Sequence, residues 1–153
     1  MPHWDEKAWG KILDSEDTEP EKPATADQIT AFEKKHGFQF PEAHREFLLR
    51  SNGGVFGIAR VFGVERRGAL DLAKHLRDMK KELEETAPGP VFPFANDWGG
   101  SYFCYDMRKP PTARGYPVLF WNHEYSEEPD DREMLWEKFA RDFVSFLKDA
   151  TAE

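Results

Sequence analysis

The chain has 153 residues, among them thirteen Phe, five Trp and four Tyr. That is too much aromatic content for a disordered segment, and enough chain to bury roughly 70% of its extended surface as one domain. Its net charge of -8 argues against non-specific nucleic-acid binding, which depends on Lys and Arg neutralising phosphates. The single cysteine, Cys104, excludes an internal disulfide and a cysteine-built zinc site.

The opening residues, MPHWDEKAWGK, are charged and lack the apolar run of a signal peptide. No uncharged span approaches transmembrane length, so a cytoplasmic location is expected. Trp4 and Trp9 mark a short amphipathic helix or turn that docks on the body of the protein. Asp14 to Pro23, DSEDTEPEKP, reads as an acidic, proline-punctuated linker crossing the surface. Thr25 and Gln28 fit a capping box, which opens a helix running to about His36 with Ile29 and Phe32 inward.

The stretch HGFQFPEAHREFLLRSNGGVFG, His36 to Gly57, turns a helix into a sheet edge within a few residues. Gly37 suits the position after the first helix, because glycine takes a positive φ without a steric penalty. Pro41 suits the first position of the next helix, where its missing N–H has no helical partner. Phe40, Phe47 and Leu48 fall on one face of that helix, and Glu42, Arg45, Glu46 and Arg50 on the others. Asn52-Gly53-Gly54 stops it.

Val55 to Val64 predicts a strand or tight hairpin, with Phe56, Ile58, Phe62 and Val64 on one face and Arg60 as the exception. Ala69 to Glu85 is the clearest helix, its stripe of Leu72, Leu76, Met79 and Leu83 set among charges. Pro88-Gly89-Pro90 ends it. Val91 to Ala95 and Ser101 to Met107 predict two strands joined by the turn Asn96-Asp97-Trp98-Gly99-Gly100. Val118 to His123 predicts a central strand, apolar on both faces. A last helix is expected from Asp130 or Asp131, burying Trp136, Phe139, Phe143, Phe146 and Leu147. The sum is an α+β fold: a single domain with a mostly antiparallel sheet of four to six strands, packed on one side by helices. Residues 1–24 read as an N-terminal extension and acidic linker, and 25–150 as the core.

Groups able to do chemistry are sparse. His123-Glu124 lacks the second histidine of a zinc-protease motif. Cys104 lies mid-strand between Phe103 and Tyr105, unlike the electropositive, partly exposed setting of a catalytic thiol. Asp97, Asp106 and Glu124 could serve acid–base chemistry if they met at one end of the sheet, although turn aspartates more often satisfy local N–H groups. The glycine pairs lack the Lys-Ser/Thr ending of a phosphate loop. No catalytic residue, cofactor site or metal site is assigned. What remains is surface: Asp97 and Trp98 in the turn, and Glu124, Tyr125, Glu127, Glu128, Asp130 and Asp131 in an acidic loop around one tyrosine. An aromatic anchor rimmed by acids suits a basic protein partner.

Together with VFPFANDWGGSYFCYDM, PVLFWNHE and FARDFVSFLKDA, the His36–Gly57 stretch resembles the SUKH superfamily over Thr25 to Ala150. Members of that superfamily resemble the fungal cell-wall-assembly regulator and serve largely as bacterial immunity proteins. The resemblance marks Pro41, Asn52, Gly53, Gly54, Gly100 and Asp106 as fold-determining. It implies a non-enzymatic antitoxin of a polymorphic toxin system, binding and neutralising a cognate toxin domain, many such toxins being nucleases. The alternative it offers is a regulatory protein-interaction scaffold of the cell-wall-assembly-regulator type. The partner expected is a basic toxin protein, with no direct nucleic-acid or membrane contact.

Overall fold

The computed structural model describes residues 3–126 and 132–152. Its helices begin where the sequence supplies caps. Asp5 caps α1 (Glu6–Leu13) by accepting from the Ala8 N–H. Thr25 and Gln28 form a complete capping box on α2 (Ala26–His36), and Gly37 closes that helix at φ +63°. Pro41 stands at the N-cap of α3 (Glu42–Leu48), one position before the place the sequence suggested. Asp71 caps α4 (Leu72–Thr86), and Asp142 caps α6 (Phe143–Ala150). Between them lies α5 (Arg132–Leu135).

The strands are β1 (Glu19–Pro20), β2 (Gly54–Phe56), β3 (Ala59–Val61), β4 (Val91–Asn96), β5 (Tyr102–Asp106), β6 (Val118–Trp121) and β7 (Trp136–Ala140). They form one seven-stranded sheet in sequence order, every neighbour antiparallel. The sheet exceeds the expected four to six strands because both of its edges were hidden in the sequence. β1 lies inside the acidic stretch that reads as a linker, where Glu19 pairs with Val55 and Pro20 with Gly54. Proline is tolerated there because an edge strand can leave one N–H position unused.

The other edge corrects the last helix. Trp136 to Ala140 is strand, and the helix starts only at Phe143, after the Asp142 cap. The spacing of Phe139, Phe143 and Phe146 mimics a helical stripe because the rings meet across the strand–helix junction. Phe139 lies 4.9 Å from Phe103 and 5.8 Å from Phe146, centroid to centroid.

Alternation along β5 shows how the layers stack. Phe103 and Tyr105 face α3 and α6, meeting Phe146 and His44 respectively. Tyr102 points the other way, its hydroxyl 2.9 Å from His75 Nδ1 on α4. Helices therefore do not keep to one side: α4 lies across the face opposite α3 and α6. With both faces covered, every residue of β4 and β5 is buried. Trp4, fully buried, ties the N-terminal segment to the same core through Phe143 and donates from Nε1 to the Ala43 carbonyl at 3.0 Å.

At the centre of the core, the His44 ring stacks on Phe143, 4.2 Å away and 6° from parallel, with Nδ1 2.9 Å from the Tyr105 hydroxyl. Its Nε2 is buried without a hydrogen-bond partner among the described residues. Burial drives the imidazole from its ordinary 6.5 down to about 3, so the ring is held neutral.

The turn after α3 sets the sheet in place. Asn52 Nδ2 donates to the Val64 carbonyl at 2.9 Å, and the Val64 N–H donates to Asn52 Oδ1 at 2.8 Å. Gly53 and Gly54 follow at φ +79° and +130°. The β2–β3 hairpin then turns at Gly57-Ile58, with Gly57 at φ +62°. This turn resets the alternation. Ile58 is therefore exposed at the tip instead of facing inward with Phe56, and Ala59 and Val61 take the buried positions. The tip docks on the end of α6, where the Ile58 N–H donates to the Ala150 carbonyl at 3.1 Å.

A Cβ on Gly57 would lie 2.0 Å from the Ala150 carbonyl oxygen. Gly57→Ala should therefore lose about 2–5 kcal/mol, combining left-handed strain with overpacking against backbone; urea denaturation measures it, and a loss under about 1 kcal/mol would show that the tip is not docked. His44 generates a pH prediction. Below 6.5 the unfolded chain binds a proton that the folded ring refuses down to about 3, so stability falls on acidification through that window. From about pH 7 to about pH 5 this histidine should cost about 2 kcal/mol. Burial also lowers His36 and His75, so the contribution is read as the part of the pH slope that His44→Phe abolishes.

Candidate protein-binding face

One end of the sheet gathers four of the residues that the sequence singled out, Asp97, Trp98, Glu124 and Tyr125. The β4–β5 turn is built by Asp97, whose Oδ1 accepts from the N–H groups of Gly99 and Ser101, each at 2.9 Å. The Asp97 N–H in turn donates to the Ser101 carbonyl at 3.0 Å. Gly100 completes the reversal at φ +96°, a conformation costly for any residue with a Cβ. The carboxylate is therefore committed to its own loop, as turn aspartates generally are. Trp98 is left at the apex, 69% exposed.

Trp98 does not fold back into the core, but it is held. Arg60 on β3 donates from Nε to Asn96 Oδ1 at 2.8 Å. That bond sets its guanidinium carbon 4.9 Å from the centre of the indole ring. A cation over an indole is worth about 0.5–1 kcal/mol at an exposed site. Sequence reading noted Arg60 only as the residue breaking the apolar alternation of its strand. That break was the available signal that the position faces something other than core.

A second segment abuts the turn. After β6 the chain makes a 3-10 turn (His123–Tyr125), capped by Asn122 Oδ1 accepting from the Glu124 N–H. Buried Ser101 fastens it: its Oγ accepts from the His123 N–H at 3.1 Å and lies 3.0 Å from His123 Nδ1. A serine beside an imidazole can be a nucleophile and its base. Here the serine is 2% exposed and its Oγ already serves the His123 backbone, so the pair works as a clamp. Glu124 is exposed beyond the clamp, and Tyr125 is half-buried against the core.

Asp97, Trp98, Glu124 and Tyr125 thus share one end of the sheet, joined through Ser101 and His123. Glu127, Glu128, Asp130 and Asp131 lie outside the described residues. Asp106 does not join this group. It stands at the opposite end of β5, paired with Val91, whereas Tyr102 pairs with Asn96 beside the turn. There the Arg108 guanidinium grips its carboxylate at 2.6 Å and holds it below the usual carboxylate range. The convergence of Asp97, Asp106 and Glu124 that acid–base chemistry would need is absent. Cys104 is buried in the sheet, and burial pushes its thiol well up, away from the reactive thiolate. Among the described residues no three His, Cys, Asp or Glu side chains gather as a metal-holding group, and no helix is long and apolar enough to cross a membrane.

Residues 23–149 match the SMI1 / KNR4 family (SUKH-1). The chain has no significant match among curated proteins.

Removing the cation over the indole should free the ring without unfolding the protein. Arg60→Ala is expected to raise acrylamide quenching of the fluorescence contributed by Trp98, taken as the difference from Trp98→Phe, while costing no more than about 1 kcal/mol of stability. Quenching identical to that of the unmodified chain would mean that Arg60 does not hold the indole in solution.

Proposed function

Since the chain belongs to the SMI1 / KNR4 family (SUKH-1), we propose that it is a non-enzymatic immunity protein that binds and neutralises a cognate toxin domain. The observation that carries this reading is Trp98: a large aromatic side chain, mostly exposed, presented on a hydrogen-bonded turn and held by Arg60. Leaving such a ring in water gains nothing for the isolated fold, whereas rigid aromatic anchors dominate protein interfaces. Glu124 and Tyr125 extend the same end of the molecule, and the net charge of -8 would speed encounter with a basic partner such as a nuclease. In this mode the protein acts by covering the toxin's active site or the surface beside it, and it makes and breaks no covalent bond.

The test is growth. Cells expressing the toxin encoded in the adjoining reading frame should survive when this chain is co-expressed, and Trp98→Ala should reduce that protection while leaving the protein folded. Interface anchors of this kind cost about 2 kcal/mol or more on truncation, a loss of roughly thirtyfold in affinity. Equal killing with and without the chain would reject the immunity reading. Full protection by the Trp98 variant would instead reject this face as the place of contact.

A further inference from the structure

The opposite end of the sheet carries a second surface, of the reverse charge. An open groove of about 710 Å3 runs beside β6 and β7, and four cations line it, Arg108, Lys109, Lys138 and Arg141, against the single carboxylate of Asp106. In a chain of net charge -8 this is a local reversal of sign. Arg108 is spent on Asp106 at 2.6 Å, and Arg141 donates to Ser145 Oγ at 3.3 Å and lies 4.0 Å from Asp142 Oδ2, the oxygen that Arg114 already holds at 2.9 Å. Lys109 and Lys138 are exposed and have no ion-pair partner among the described residues. Leu119 and Phe139 contribute apolar wall. β7 is the last strand of the sheet and, among the described residues, pairs only with β6; Leu119 stands opposite Lys138 on the same face, so the groove opens across the ends of β5, β6 and β7.

We propose that this groove docks an extended acidic segment of a protein partner, laid across the ends of β5, β6 and β7 with its carboxylates on Lys109 and Lys138. Each property of the groove matches a property of that ligand. Exposed lysines attract carboxylates, and the apolar wall of Leu119 and Phe139 takes the apolar side chains set between them. A nucleic acid fits less well. Its affinity rests on many phosphate contacts, and the rest of this molecule repels phosphate. The groove is independent of the Trp98 face and stands whether or not that face binds a toxin.

The probe is a capped, fluorescently labelled peptide of alternating glutamate and valine, titrated into the full chain and followed by anisotropy and by amide NMR shifts. Binding should perturb the amides of β7, weaken with added salt, and fall by at least about tenfold in the Lys109→Glu, Lys138→Glu double variant. Both positions are exposed, and an unchanged thermal midpoint verifies that the variant folds. Arg60→Ala, at the other end of the sheet, should leave the titration unaltered. Absence of binding, equal binding by the double variant, shifts that spare β7, or tighter binding of a single-stranded oligonucleotide of the same charge in this groove would each overturn the proposal.

Discussion

Two hydrogen bonds from one buried side chain set the geometry of the rest. Asn52 uses both the donor and the acceptor of its side-chain amide on the backbone of Val64, locking the end of α3 to the exit of the β2–β3 hairpin. Its neighbours leave no freedom to compensate. A Cβ on Gly53 would lie 2.5 Å from the Val61 carbonyl, and one on Gly54 2.8 Å from that of Glu19. The close approach at Gly54 is what lets β1 pair as an edge strand, and the hairpin in turn carries Arg60 to Trp98. An unpaired buried amide costs about 1–3 kcal/mol, so a single asparagine connects helix packing, sheet edge and presented aromatic.

Much of this was legible from residue chemistry. The Thr25–Gln28 box, the Gly37 cap, the Asn-Gly-Gly stop and the α4 stripe are local signals, each decided within a few residues. What could not be read depended on partners distant in sequence. β1 is a strand only because Gly54 and Val55 lie beside it; nothing in an acidic, proline-containing stretch announces that. β7 hid behind three phenylalanines whose rings converge from a strand and a helix, and helical spacing describes that convergence equally well. At the exposed end the sequence singled out Asp97, Trp98, Glu124 and Tyr125 by residue type; the structure brings the four to one end of the sheet and commits the Asp97 carboxylate to its own turn. Arg60 escaped notice because the contact giving it a role is between β3 and a loop that follows β4.

The distribution of charge has consequences beyond solubility. A net charge of -8 sets the long-range field that a protein partner would meet first, while contact would be made with local groups. At the Trp98 end these are an indole, a guanidinium and Glu124; at the β7 end, Lys109 and Lys138, without an ion-pair partner among the described residues, line the groove. Both ends belong to one rigid sheet whose central strands are buried on both faces, so neither requires a conformational change to be presented. A protein acting by shape needs such preorganisation, because ordering a loop on binding would subtract from affinity.

The proposed contact of the Trp98 end with a toxin domain is most directly measured by hydrogen exchange on a mixture of the two proteins. Slowed exchange confined to the β4–β5 turn, residues 97–101, and to residues 123–125 is the expected footprint. A footprint that leaves both segments exchanging as in the free protein, with protection elsewhere on the sheet, would contradict it.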